Sequence, residues 1–356
     1  MTGIVWPNRA LGKTWEDLEK ADSNLTWQHI RSLRVSGCGF AQSGTRRSIF
    51  RAALQQSEQL FQASNSVDYS ARPLLLYYGL SQACLAILQA SPRLVSGETS
   101  PKGHGMRLEA SADGIGAVLP GSDALGELSL IIRALGSGGV GINATIERLW
   151  SALPDHRRGF NTTSDISLAP WHLNMPTNPQ DNRISISVPD VDLLGPNFDA
   201  TLAAMTERRP PLADLDLIQA RLGSNWFSLG ESGGFVLYVK ASNIADAQRA
   251  VRMQSTYYET LAPRIFASLD GTASVHPLVI WLTVLFSLSM LARYHPSKWS
   301  ELLRIDGSTS APLLEDILQH ATIVCPTLIL NTLDHMNVLF SEGIRPDIVR
   351  STRGVP

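Results

Sequence analysis

The chain has 356 residues, 44% of them hydrophobic and 17% charged, a composition that can bury a large core and excludes a disordered protein. Its formal net charge of −2 excludes an overall electrostatic pull toward phosphate backbones or acidic membranes, so nucleic-acid binding would need a local basic patch. The three cysteines, Cys38, Cys84 and Cys325, lie far apart with no CxxC spacing, which argues against a disulfide framework and a zinc knuckle and predicts reduced, buried thiols.

Residues 1–46 read as an N-terminal arm. Met1 to Ala21 carries Trp6, Pro7, Trp15 and several acidic residues where a secretory signal would have a basic start and an apolar run, so a cytoplasmic location is expected. After Thr45 and Ser48, the residues Ile49, Phe50, Ala53, Leu54, Ser57, Leu60, Phe61 and Ser64 recur at helical spacing, which predicts an amphipathic helix over Arg47–Ser66. A second helix is predicted over Arg72–Ala90, with Pro73 in its first turn and Ser70 as a nearby cap; it is apolar almost all round and belongs inside a core.

Pro92, Gly97, Pro101, Gly103 and Gly105 mark a loop and the seam between two closely packed parts. Residues 102–240 read as mixed α+β. Strands are predicted at Met106–Ala110, Arg183–Val188 and Gly234–Lys240, helices at Ala124–Leu135, Asn143–Leu153 and Leu212–Leu222, and an irregular stretch from Pro154 to Asp181. Residues 243–340 return to helix. The expected pieces are Ile244–Leu261 behind an Asn243 cap, an apolar run from Leu278 ending at Arg293, a short piece around Trp299, Leu313–Ile323, and a last helix from Pro326 to Phe340. The run Leu278–Ala292 falls short of the roughly 18 to 20 residues a membrane span requires and contains Thr283, Ser287 and Ser289, so it reads as a buried helix and no membrane association is expected. Residues 341–356 read as a flexible tail. The fold class is therefore α+β, predominantly helical, with N- and C-terminal helices packed together around a small mixed sheet region.

Three well-known patterns occur out of context. Gly136, Gly138 and Gly141 satisfy G-x-G-x-x-G, but a helix precedes them where a dinucleotide fingerprint needs a strand, so an interhelical linker is expected. Gly230 to Gly234 satisfies G-x-S-x-G, yet a strand begins there where the nucleophile elbow needs one to end, so a hairpin turn is expected. In Gly103-His104-Gly105, a histidine stands between two residues of high backbone freedom; it can be an acid–base group, a phosphate contact or an ordinary turn. The polar cluster from Arg293 to Trp299 ends the apolar helix. Cations stabilise a helix C-terminus, so it can be a simple stop, or Arg293 and His295 can join His104 around an anionic ligand. Arg46, Arg47 and Arg51 crowd a helix start and read as a solvated face unless something anionic is near. Asp155-His156 and Asp334-His335 are adjacent pairs whose side chains need not converge, so neither metal nor cofactor is expected.

The run Arg72-Pro73-Leu74-Leu75-Leu76-Tyr77-Tyr78-Gly79-Leu80-Ser81, the Gly103–Gly105 turn, His276-Pro277, and Leu288 through Trp299, in that order, resemble the YaaC-like family of bacterial proteins over roughly Ser48 to Phe340. The opening fifty residues carry little of that pattern. The resemblance implies a YaaC-like domain over 47–340, a bacterial origin and a cytoplasmic location, and it assigns no activity. The first helix pair is also loosely similar to HEPN domains, many of which are ribonucleases or partners of nucleotidyltransferases in defence systems. The Arg and His that HEPN ribonucleases carry a few residues apart on one helix are absent here. The candidate catalytic residues are His104, Arg293 and His295, and Arg72, Tyr78 and Lys298 are candidate ligand contacts. The leading expectation is an interaction or ligand-sensing subunit of a bacterial intracellular complex, in antiviral defence or stress response. A protein partner or second copy is expected, and an anionic small molecule or nucleic acid is a further candidate ligand. The alternatives are a nuclease-like or hydrolase effector built on the His/Arg site, and a structural oligomer.

Overall fold

The computed structural model describes residues 23–111, 115–142, 144–154, 168–174, 185–188, 198–209, 216–220, 235–240, 256–257 and 263–344. Within them the helices are α1 (Ser23–Ser36), α2 (Gly44–Ser64), α3 (Arg72–Ala90), α4 (Glu127–Leu135), α5 (Ile146–Ser151), α6 (Phe198–Glu207), α7 (Pro277–Tyr294), α8 (Pro296–Leu302) and α9 (Ala311–Ser341). The strands are β1 (Met106–Glu109), β2 (Ala117–Pro120), β3 (Ala144–Thr145), β4 (Trp171–Asn174), β5 (Ser185–Val188), β6 (Asp216–Ala220), β7 (Phe235–Lys240), β8 (Thr256–Tyr257) and β9 (Pro263–Ile265). The fold is a predominantly helical α+β arrangement in which the N- and C-terminal helices pack together.

The helical core is set by apolar spacing. Helix α2 buries Phe50, Ala53, Leu54, Ser57 and Phe61 on one stripe, which is the face laid against α3. Gly79 of α3 permits the close approach, because a Cβ there would lie 3.0 Å from the Phe61 ring. Helix α3 packs on α2, α4, α7 and α9, so nearly every side of it is apolar. The expected Ser70 cap is not made; Ala71 is the residue before α3, and the Ser70 carbonyl instead accepts a 3.1 Å hydrogen bond from the Trp299 indole of α8. Helix α7 is buried from Pro277 through Ser289, and its Thr283, Ser287 and Ser289 hydroxyls donate to carbonyls of the preceding turn, which removes the penalty of burying them.

The arm is partly core. Helix α1 lies inside residues 1–46, buries Trp27 and Ile30, stacks Trp27 on Phe61 at 5.7 Å and pairs Arg31 with the buried Glu58 of α2. Two helices expected on either side of Pro326 are one, α9, running through the proline. A proline inside a helix removes one hydrogen bond at a cost of about 3 kcal/mol. The burial of Cys325, Leu328, Ile329 and Leu333 around it holds the axis together.

Two antiparallel sheets occupy the middle, one in the order β1-β2-β3 and one in the order β6-β7-β5-β4-β9-β8. The strands expected near Met106, Arg183 and Gly234 are β1, β5 and β7. Of the helix expected over Leu212–Leu222, Asp216–Ala220 is instead strand β6, paired with β7 in the register Asp216↔Lys240 to Ala220↔Val236; the remainder lies outside the described residues. The leucines of Leu212–Leu222 fit either period, and pairing with β7 decides the matter. Strand β4 falls inside the stretch expected to be irregular, and α6 was not anticipated. Of the helix expected over Ile244–Leu261, Thr256–Tyr257 is a strand paired with β9; Asn243 and the remainder lie outside the described residues. The helix expected from Asn143 begins at Ile146, after β3, where the Thr145 hydroxyl accepts from the Arg148 N–H.

Helices α3, α7 and α9 are each long and apolar enough to cross a membrane, so the shortness inferred for the run before Arg293 does not hold: α7 has 18 residues. What covers α7 here is protein, namely α3, α4, α5, α8, α9 and β2.

Candidate functional site

The Gly103-His104-Gly105 turn is clamped onto the start of α4. Gly103 and Gly105 have φ of +111° and +68°, which favour glycine, and a Cβ on Gly126 would fall 2.5 Å from the Gly105 Cα. The Gly103 and His104 carbonyls accept from the N–H groups of Glu127 and Leu128 at 2.9 and 3.1 Å, satisfying donors a helix start leaves open, and the Gly121 N–H donates to the Gly105 carbonyl at 2.8 Å.

His104 is thereby aimed at α3. Its Nδ1 lies 2.6 Å from the Tyr77 hydroxyl, and its ring packs at 5.5 Å on Tyr77 and 5.7 Å on Phe286 of α7. The Tyr77 hydroxyl donates to Glu127 Oε2 at 3.0 Å. Glu127 is 3% exposed and sits in the first turn of α4, where the helix dipole favours a carboxylate. Burial, and next the Glu127 charge, push the Tyr77 phenol far above its ordinary range, so it keeps its proton. With that proton on Glu127, the tyrosine oxygen accepts from Nδ1–H of His104. The ring, whose side chain is 42% exposed, then carries its lone pair on Nε2. This is a relay of carboxylate, phenol and imidazole ending in solvent.

Cys84 does not supply a nucleophile to it. Burial, and then the Glu127 charge, hold its thiol well above the usual value.

Arg293, in the last turn of α7, donates to the Tyr78 hydroxyl at 2.7 Å and lies over the Tyr294 ring at 4.9 Å. Tyr78 touches Tyr77, with ring centroids 5.3 Å apart, so His104, Tyr77, Tyr78 and Arg293 follow one seam between α3 and α7. They do not form one hydrogen-bonded cluster: Phe286, against which His104 packs, precedes Arg293 by seven residues, about 10 Å of helix. His295 is exposed at the junction of α7 and α8, and its backbone N–H closes α7 on the Leu291 carbonyl. Lys298 donates to the Ser111 carbonyl, tying α8 to the segment after β1. Arg72 bonds the Val67 carbonyl at 3.0 Å and Gln319 at 3.4 Å and stacks on Tyr69 at 4.5 Å, so it fastens α3 to its own approach and to α9.

The arginines at the start of α2 are mostly engaged. Arg46 donates to the carbonyls of Leu88, Ser91 and Leu94 around the end of α3, and Arg47 to those of Gln42 and Val35; Arg51 alone is a solvated side chain. Carbonyls at helix ends answer the charge of Arg46 and Arg47. The glycine run after α4 is the expected linker: Gly136 ends the helix with φ +65°, and a Cβ on Gly138 would strike the Ala273 carbonyl at 2.1 Å. The turn at Gly230 to Gly234 and the Asp155-His156 pair lie outside the described residues. Among the described residues no group of three or more His, Cys, Asp or Glu is placed to hold a metal.

Tyr77 and Glu127 are the members of the relay that sequence patterning did not single out. Tyr77 falls in a helix read as core, and Glu127 in a predicted helix where the one available signal is a lone carboxylate at the head of Glu127-Leu128-Ser129-Leu130-Ile131-Ile132.

No curated protein and no solved structure matches the chain. The family model described as YaaC-like Protein matches residues 24–333, beginning within α1, earlier than the motifs indicated, and ending inside α9. That span takes in the relay and the α3–α7 seam, and the chain belongs to the YaaC-like family.

Proposed function

We propose that the chain is a ligand-sensing subunit of an intracellular bacterial complex, in antiviral defence or stress response, triggered by an anionic ligand on the α3–α7 seam. One observation carries the reading: His104 ends a relay from buried Glu127 through Tyr77 with its outer nitrogen toward solvent, and Arg293 stands exposed further along the same seam. The guanidinium supplies permanent charge and a planar fork, and the imidazole supplies a pre-aimed second contact. The ligand is a small anion or an exposed phosphate of a nucleic acid, and the recipient of the signal is a protein partner or a second copy. Protein coverage of α7 supports a soluble, cytoplasmic chain, despite its apolar length. The test is purification of the tagged chain from its native host, with companions identified by mass spectrometry. A companion retained by the wild type and lost from Arg293→Ala is expected; recovery of the chain alone, free of protein and metabolite, overturns the reading.

The relay also favours a second reading, a hydrolytic effector in which His104 Nε2 takes a proton from water. General-base catalysis of that kind contributes about 10²- to 10⁴-fold. Cleavage of single-stranded RNA or of a phosphodiester ester that falls by about that factor in His104→Ala would establish it. Rates identical in the two proteins would leave binding as the role of the seam.

A further inference from the structure

The segments that build the α3–α7 seam are free of carboxylates. Residues 69–97, 99–108 and 271–300 contain no Asp or Glu, in a chain where acidic residues outnumber basic ones, and they carry Arg72, Arg93, Lys102, Arg107, Arg293 and Lys298. The acids that bound these segments are Asp68, Glu98, Glu109, Asp270 and Glu301; Glu98 is spent on Arg133 at 2.8 Å, and Asp270 on Thr272, Ser268 and the Gly139 N–H. Glu127, which enters the seam from α4, is buried and bonded to Tyr77. Helix α9 is the converse, with Glu315, Asp316 and Asp334 and no Lys or Arg. The formal charge of −2 therefore conceals a local basic strip, the feature that nucleic-acid binding requires.

The exposed end of the strip combines charge with rings. Arg293 gives Nη1 to the Tyr78 hydroxyl at 2.7 Å and lies 4.9 Å from the centre of the Tyr294 ring, which is 58% exposed. The rest of that exposed guanidinium fork can meet a phosphate while an unpaired base stacks at the phenol. Arg72 and Tyr69 repeat the pairing at 4.5 Å, next to Ser70, whose carbonyl holds the Trp299 indole of α8. In the other direction the contacts run from Tyr78 to Tyr77 and His104.

These groups are spaced too widely for one small anion, since His104 packs on Phe286, seven residues and about 10 Å of helix before Arg293. A flexible strand with recurring charge reaches both, and a single strand leaves its bases free to stack, as a duplex does not. His104 narrows the choice further. The relay leaves Nε2 with a lone pair, so that nitrogen calls for a donor, which a ribose 2′-hydroxyl supplies and deoxyribose lacks.

We infer that the α3–α7 seam binds single-stranded RNA, with Arg293 on a phosphate, Tyr294 against a base and His104 Nε2 accepting from a 2′-hydroxyl. The inference rests on the reading of the seam as an anion site and fixes the class of anion.

The test is fluorescence anisotropy of the full-length protein with a labelled oligouridine of about 12 nucleotides and its 2′-deoxy counterpart. A Kd of about 10 µM or below at about 100 mM salt is expected for the RNA, with about fivefold weaker binding of the DNA. Arg293→Ala should weaken binding about tenfold and remove about 0.7 from the slope of log affinity against log salt. Tyr294→Ala should also cost about tenfold and Tyr294→Phe less than about twofold, while Arg51→Ala, which deletes the same charge from the surface of α2, should change nothing. His104→Ala should erase the difference between RNA and DNA. No binding at about 1 mM, a duplex or the DNA binding as tightly as the RNA, or Tyr294→Ala matching the wild type would each overturn the inference. A companion lost from Arg293→Ala with no RNA binding would overturn this inference and leave the sensing reading standing; RNA binding by a chain recovered alone would do the reverse.

Discussion

Two polar sites of this core are built on opposite plans. At His104 each donor has an acceptor: the imidazole meets a phenol, the phenol meets a carboxylate, and the carboxylate sits on a helix start. At Arg93, just after α3, one guanidinium nitrogen, Nη1, is enclosed with no hydrogen-bond partner among the described residues. A closed network fixes geometry and stabilises the fold, whereas an open one leaves interaction energy unrealised. The lesson is that a buried polar side chain carries opposite consequences according to whether a partner is within reach.

The comparison can be broken most forcefully at its open end, where burial first, then His335 and Arg93, hold His276 at about 3, and burial first, then Arg93, hold His335 at about 4. The unfolded chain binds protons near pH 6.5 and the folded chain only near 4 and 3. Stability should therefore be fully present above pH 6.5 and fall by about 6 kcal/mol, about 3 from each histidine, as pH drops toward 4. His335→Gln should flatten that fall in parallel denaturation series. At the closed end, Tyr77→Phe strands the buried Glu127 carboxylate without its donor and should cost about 3 kcal/mol in chemical denaturation. A change below about 0.5 kcal/mol would mean that the network is not closed.

Gly136→Ala combines a left-handed backbone with a clash at Arg93 and should cost about 1 to 2 kcal/mol in chemical denaturation. Arg93→Met sharpens the contrast with a smaller effect of opposite sign. Deleting an unanswered buried cation should leave the protein as stable or about 1 kcal/mol more stable by thermal melting, and should let His335 titrate at higher pH. Arg293→Ala, on the surface of α7, should change stability by less than about 1 kcal/mol while costing the companion.

Legibility in the sequence followed the same division between local and remote. The apolar periods of α2 and α3 and the unbroken run of α7 are visible because a helix writes its burial into its own spacing. Strand β6 is not, since the leucines around it in Leu212–Leu222 suit two periods and only β7 chooses between them. Pro326 reads as a boundary because the burial that overrides it comes from elsewhere in the chain. His104 and Arg293 stood out through their glycine and helix-end settings. Tyr77 and Glu127 gave no such sign, because what pairs them is each other, fifty residues apart. His276-Pro277 was noticed as a motif fragment, yet its relation to Arg93 and His335 exists only once α3, α7 and α9 converge.

The Gly103–Gly105 turn has one more consequence. Because its carbonyls terminate the open N–H groups of α4, the loop and the helix end are mechanically one piece. Any force that drags His104 outward unseats the first turn of α4 and, with it, Glu127. An event at the protein surface is in this way geared to an internal helix with no hinge between them.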